Sequence, residues 1–201
     1  MIRVLLAEDQ TMVREALASL LGLEDDIEVV AQVGRGDEVA AAARAERPDV
    51  ALLDIEMPGA SGLEAAGLLR TELPATRVVI LTTFSRPGYL RRAMEQGASG
   101  FLLKDAPASE LAAAIRRVVA GERIVDPDLA AAALVEGDSP LTAREHEVLD
   151  AARRYGTVAE LAAALHLSPG TTRNHLSAIM GKLGAHSRIE AIRVAEEKGW
   201  L

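Results

Sequence analysis

Short apolar runs and longer mixed segments take turns along the first two thirds of the chain. The runs at 2–7, 27–33, 50–53, 77–82 and 100–103 are rich in Val, Ile and Leu and have the length and β-branched content of strands. Between them, 11–21, 37–46, 62–72, 87–96 and 108–120 carry Ala, Leu, Glu and Arg at helical spacing. Five βα units in succession predict a doubly wound, five-stranded parallel sheet with helices on both faces. The pattern then changes. An Ala-rich stretch at 126–135, opened by Pro127, reads as a linking helix, and Glu136-Gly137-Asp138 reads as a joint. Beyond it four helical segments, 142–154, 158–165, 169–183 and 188–198, are separated by cap and turn residues at Ser139-Pro140, Gly156-Thr157, Ser168-Pro169 and Gly184. The expected organisation is an α/β domain over 1–121, a linker over 122–138 and an all-α domain over 139–201.

Charge separates these halves. The chain carries a net −8, which taken whole argues against a nucleic-acid partner. Residues 139–201, however, hold 8 Lys and Arg against 7 Asp and Glu, so the acidity belongs to the first 138 residues, with 14 against 23. A near-neutral helical domain suits phosphates only through local clustering of cations and two copies acting together. With no cysteine there is no disulfide framework. No uncharged apolar run is long enough to span a bilayer, and the start at Met1-Ile2-Arg3 has no leader pattern. A cytoplasmic protein without membrane insertion is expected.

The candidate chemistry lies at strand ends. In a parallel α/β sheet, ligands bind beyond the carboxyl ends of the strands. Glu8-Asp9 follow the first strand, Asp54 the third, Thr82 closes the fourth and Lys104 follows the fifth, so three carboxylates, a hydroxyl and an amine converge. Clustered carboxylates repel unless a cation joins them, and Mg2+ suits an open oxygen site that also accepts a phosphate oxygen. With the metal and Lys104 offsetting phosphoryl charge, Asp54 is the expected nucleophile and the product an aspartyl phosphate. Thr82 is then placed to donate to the new phosphoryl group. Taken one at a time these residues are ordinary caps, turns and surface charges; their convergence is what points to chemistry.

From Ile2 to about Gly121 these residues resemble the receiver domain of response regulators, a flavodoxin-like fold. The acidic pair matches Glu8-Asp9, the phospho-acceptor matches Asp54 followed by Met57-Pro58-Gly59, the switch hydroxyl matches Thr82, and the lysine matches Lys104. The resemblance implies that Phe101 is the aromatic switch, turning inward on phosphorylation, and that Glu56 offers its backbone carbonyl to the metal. Glu8 departs from the commoner Asp at its position.

In the second half Thr142 with Glu145 makes a capping-box start. Leu161, Ala162 and Leu165 then form an apolar stripe, His166-Leu167-Ser168-Pro169 a turn, and Thr172, Leu176, Ile179, Met180 and Leu183 the inward face of the next helix. Its other face carries Arg173, Asn174 and Ser177, side chains able to read base edges and phosphates. The stretches 141–148 and 168–191 resemble the DNA-binding domain of the NarL/FixJ (LuxR-type) regulators. That resemblance implies DNA contacts at Arg173, Asn174 and Ser177, a backbone contact at Lys182, and pairing of two such domains through the last helix. It departs at Ser177, a lysine in some members, and at 157–160, which lacks the usual polar and basic opening. The whole predicts a two-component response regulator, not an enzyme, in which a sensor histidine kinase phosphorylates Asp54 and the protein dimerises on double-stranded operator DNA. The competing classes are a Mg2+-dependent phosphohydrolase built on Asp54 and a constitutive DNA-binding protein whose first domain only dimerises.

Overall fold

The computed structural model describes residues 1–83, 87–127, 129–131 and 139–201. Two compact units divide the chain, one of residues 1–85 with 90–131, the other of 86–89 with 132–201. Of the expected linking helix, Pro127 and 129–131 are helical; residues 128 and 132–135, and the joint at 136–138, lie outside the described residues.

Up to residue 125 the order is β1 (Ile2–Ala7), α1 (Thr11–Leu21), β2 (Ile27–Val33), a 3-10 turn (Gly36–Glu38), α2 (Val39–Glu46), β3 (Val50–Asp54), α3 (Gly62–Glu72), β4 (Arg77–Thr82), α4 (Pro87–Glu95), β5 (Gly100–Leu103), α5 (Ala108–Val119) and β6 (Ile124–Val125). The strands lie in the order β2-β1-β3-β4-β5-β6, all paired in parallel. The sheet therefore has six strands where the apolar pattern predicts five. Ile124 and Val125 pair with Gly100 and Phe101; two residues are too few to show an alternation, and the chain reaches them only because α5 returns beside β5.

The central strands β1, β3 and β4 are buried on both faces, which is why they read as continuous apolar runs rather than alternating ones. Val4, Leu6, Val50, Leu52, Val79 and Leu81 share a core cluster with Leu111, Ile115 and Val118 of α5, with Leu17 and Ala18 of α1 packed against it. The intervening Leu5, Leu53 and Ile80 are fully buried too and face the opposite way, the side on which α3 buries Leu63, Ala66 and Leu69. Each such side chain contributes roughly 1.5–3 kcal/mol. The strand order reverses between β1 and β3, so the crevice at their carboxyl ends is the topological switch point.

Among its described residues the second unit holds four helices from residue 139 on, α6 (Ala143–Arg154), α7 (Val158–Ala164), α8 (Pro169–Leu183) and α9 (Arg188–Glu197). Local chemistry sets each start. Thr142 and Thr157 form capping boxes with Glu145 and Glu160, while Ser168 caps the Thr171 N–H ahead of Pro169 in the first turn and Ser187 caps Glu190. Gly184 ends α8 at φ 64, a left-handed conformation that glycine adopts without steric cost. Leu141, Val148, Leu149, Leu161, Leu176, Ile179, Ala191 and Ala195 form the core, and Val158, Leu165, Met180, Leu183 and Ile192 pack partly buried against it. Among the described residues no helix is long and apolar enough to cross a membrane.

Candidate phosphoryl-acceptor and DNA-reading sites

Strand register brings the acidic residues together. Ala7 lies beside Leu53, Asp54 beside Leu81 and Thr82 beside Leu103, so the residues that end or follow β1, β3, β4 and β5 occupy one edge. Glu8, Asp54 and Thr82 are buried, while Asp9 is exposed at the rim. The Lys104 side chain is nearly buried, and its Nζ lies 2.6 Å from Glu8 Oε2 and 3.0 Å from Asp54 Oδ1. The Ile55 N–H donates to the same Oδ1 at 2.8 Å, and the Lys104 N–H donates to the Thr82 carbonyl at 2.8 Å.

Burial raises the Asp54 pKa to about 6; the Lys104 ammonium opposes that shift and the Glu8 carboxylate adds to it. For Lys104, burial acts against the ammonium, but hydrogen bonds to Glu8 and Asp54 outweigh it and hold the group above its ordinary value. One ammonium thus serves two buried carboxylates. Beyond the Lys104 ammonium, Glu8 Oε2 has no hydrogen-bond partner among the described residues. Glu8, Asp9 and Asp54 each place one oxygen within 4.8 Å of the others, so the pocket has the donors and the surplus negative charge to hold a metal ion. Hard carboxylate oxygens in an open site fit a hard divalent cation.

Glu56 lies exposed in the loop after β3. Phe101 is wholly buried in β5, opposite Ile80 on one side and Val125 on the other, and thus belongs to the sheet core rather than to the polar cluster. One residue that the apolar pattern does not single out also meets the pocket: Arg14 of α1 donates from Nη1 to the Glu8 carbonyl at 2.5 Å.

In the second unit Thr172, Leu176 and Ile179 are buried, and Arg173, Asn174 and Ser177 stand exposed on the opposite side of α8. Three polar side chains on one open helix face can enter a major groove. Lys182, also on α8, instead directs Nζ to within 2.6 Å of Glu145 Oε2. That ammonium and the Thr142 N–H hold the Glu145 carboxyl at about 2. A cavity of about 500 Å³ in this unit is lined by Tyr155, Arg188, Ile189 and Ile192 among others and not by the exposed polar residues of α8.

A parallel sheet with an acidic, lysine-bearing switch point, followed by a helix-turn-helix unit, defines a receiver-type signalling protein with a nucleic-acid-binding output. Comparison with known proteins agrees. The response regulator receiver domain family matches residues 4–116, and the luxR family of bacterial regulatory proteins matches 139–195. The chain is 46% identical to YvfU, an uncharacterized transcriptional regulatory protein of Bacillus subtilis (strain 168), over the full length of both. It is 47% identical to the transcriptional regulatory protein DesR of the same organism, again over the full length of both. The response regulator ChrA of a heme-sensing two-component system superposes with a TM-score of 0.58 at 36% identity, covering 100% of this chain and 98% of that one. The chain belongs to the two-component response regulators that join a receiver domain to a LuxR-type DNA-binding domain, a family of transcriptional regulators and not of enzymes.

Proposed function

We propose that Asp54 accepts a phosphoryl group from a sensor histidine kinase and that this modification drives dimerisation and sequence-specific operator binding. The observation that carries the reading is the placement of Lys104 between Glu8 and Asp54, at 2.6 and 3.0 Å. Glu8, Asp9 and Asp54, with the Glu56 backbone carbonyl, would hold Mg2+, which supplies charge stabilisation of the phosphoryl oxygens. Asp54 Oδ1 is tied to the Ile55 N–H and Lys104, leaving Oδ2 to attack. The Oδ2–P bond forms as the N–P bond of the donor phosphohistidine breaks, and the histidine nitrogen departs with the bonding pair. Lys104 then follows the new negative charge from Asp54 to the phosphoryl oxygens, and Thr82 donates its hydroxyl hydrogen bond to them. Phe101, packed between β4 and β6, is the aromatic that senses the resulting shift of β4.

On the DNA side Arg173, Asn174 and Ser177 read the groove. Lys182 reaches a phosphate only by leaving Glu145. The second unit is too nearly neutral for one copy to bind tightly, and α9 offers a pairing surface: Ile189 is 75% exposed beside Ile192 and Tyr155. A kinase-phosphorylated DNA-binding protein of this kind works in the cytoplasm, with no membrane insertion.

The test is intact mass and light scattering of the wild type and of Asp54→Asn with Mg2+ and acetyl phosphate, followed by operator selection. Addition of one phosphoryl mass with dimer formation, absent in the variant, is the expected result. Phosphorylation that leaves oligomeric state and DNA affinity unchanged would favour the constitutive reading, and turnover of many phosphate esters per protein would favour the phosphohydrolase.

A further inference from the structure

We propose that Arg14 is a positioning residue for the acidic pocket, holding the Glu8–Asp9 peptide in the orientation that a divalent cation requires. This rests on the metal reading of the pocket and concerns a residue that touches neither metal nor phosphoryl group. Arg14 stands one turn into α1, and helical side chains lean back toward the N-terminus. That lean carries its guanidinium over the preceding turn, where Nη1 donates to the Glu8 carbonyl at 2.5 Å. On the other side of the same residue, the Glu8 N–H donates to the Val33 carbonyl at 3.1 Å. Glu8 is therefore gripped at both backbone groups.

The grip matters because Asp9 is the next residue in the chain. The peptide between Glu8 and Asp9 is planar, so anchoring its oxygen also sets the direction in which the chain enters Asp9. Asp9 is exposed, so its carboxylate is placed by the backbone rather than by surrounding packing. At the helix start Gln10 makes no side-chain capping bond; its N–H donates to Glu8 Oε1 at 3.3 Å, which ties the Glu8 side chain and leaves the Glu8 carbonyl to Arg14. A bond from a guanidinium is charge-assisted and stronger than a neutral one, and it is well suited to holding a carbonyl in the face of three nearby carboxylates.

Gly34 supplies a second, independent observation. Register places Val33 beside Ala7, so β2 delivers Gly34 beneath the guanidinium. A Cβ at Gly34 would stand 3.2 Å from Arg14 Nη1 and 4.0 Å from the Glu8 carbonyl oxygen. The space for the arginine is thus left by the absence of a side chain just past the end of β2.

The experiment is calorimetric titration of MgCl2 into the full chain, comparing wild type with Arg14→Ala, Arg14→Lys and Gly34→Ala, with metal-free melting curves for each. Arg14→Ala is expected to weaken Mg2+ by about tenfold, the usual cost of losing an outer-shell partner. Arg14→Lys should recover most of that, and Gly34→Ala should weaken binding by a smaller factor as the guanidinium is pushed aside. A merely structural arginine would shift the melting temperature and leave Mg2+ affinity of the folded protein alone; wild-type affinity in Arg14→Ala overturns the proposal. Should Arg14→Ala not fold, the ordering of Gly34→Ala below Arg14→Lys and wild type decides. If wild type itself binds no Mg2+, the metal reading falls and takes this inference with it, an outcome distinct from equal binding by wild type and variants.

Discussion

Lys182 on α8 closes on Glu145 at the start of α6, Nζ to Oε2 at 2.6 Å, and the same carboxylate accepts the Thr142 N–H at 2.7 Å. One acidic side chain thereby caps a helix and ties down the C-terminal half of the helix that carries Arg173, Asn174 and Ser177. Position of the exposed polar face and stability of the capping box are linked through a single carboxylate.

The Glu145 pKa lies at about 2, below its ordinary 4.5. A folded-state pKa that is depressed stabilises above the unfolded value and loses that contribution as pH falls through the window from 4.5 to about 2. Glu145→Gln should cost the second unit roughly 1–2 kcal/mol at pH 7, less than the shift alone implies because Lys182 is partly solvated. Urea titrations at pH 7 and pH 3 check this: the penalty should shrink at the lower pH.

Asp54 behaves in the opposite sense. Its pKa is raised to about 6 from 3.8, so the metal-free protein loses stability as pH rises from 3.8 through about 6. A cation that binds the ionised form competes with that proton. Apparent Mg2+ affinity should be flat above pH 7 and fall by up to about tenfold per unit below pH 6, and the Mg2+-induced rise in melting temperature should be larger at pH 7 than at pH 5. Affinity that does not change between pH 7 and pH 5 would mean that Asp54 either titrates below pH 5 or does not bind the cation.

Lys104→Met separates metal binding from phosphoryl transfer. Without the ammonium, the carboxylates repel more strongly and hold Mg2+ several-fold more tightly, yet phosphorylation by acetyl phosphate should slow by about 10²-fold or more because the developing phosphoryl charge has lost its partner. Calorimetry and a mass-based time course give the two readouts.

Thr82→Ala is expected to leave phosphorylation of Asp54 nearly intact while weakening its coupling to dimer formation, since the hydroxyl acts after the bond has formed. Phosphorylated variant that remains monomeric in light scattering is the predicted outcome; normal dimerisation would assign the switch elsewhere.

At the DNA surface, Arg173→Ala should cost about 1–3 kcal/mol and relax preference at one base position if it reads a base, or weaken all sequences alike if it meets phosphate. Ser177→Lys should raise affinity for all sequences and steepen the salt dependence by about one ion. Binding isotherms over a salt series distinguish these.

Much is legible from residue order alone. Five strands, the helices between them, the switch-point carboxylates and the helix caps come from local pattern: strand composition, residues directly after apolar runs, and Ser or Thr three places before Glu. β6 is not legible, because Ile124 and Val125 become a strand only when β5 lies beside them. Arg14 escapes for a similar reason. On α1 it reads as one more solvated cation, and its partner is a backbone oxygen six residues away that becomes reachable only once the chain turns at Asp9. Lys182 is a DNA-backbone contact by resemblance, and its pairing with Glu145 shows only once α6 packs beside α8.

Residue order is enough to say which residues lie at strand ends and which face of each helix is apolar, since both depend on short-range periodicity and on backbone groups that neighbours must satisfy. Which charge meets which comes from packing: Lys104 is shared between Glu8 and Asp54, Glu145 takes Lys182, and Gly34 leaves room for Arg14. Ion pairs and close approaches join residues far apart in the chain, and their energies depend on distance and burial, quantities that packing creates and residue order does not contain.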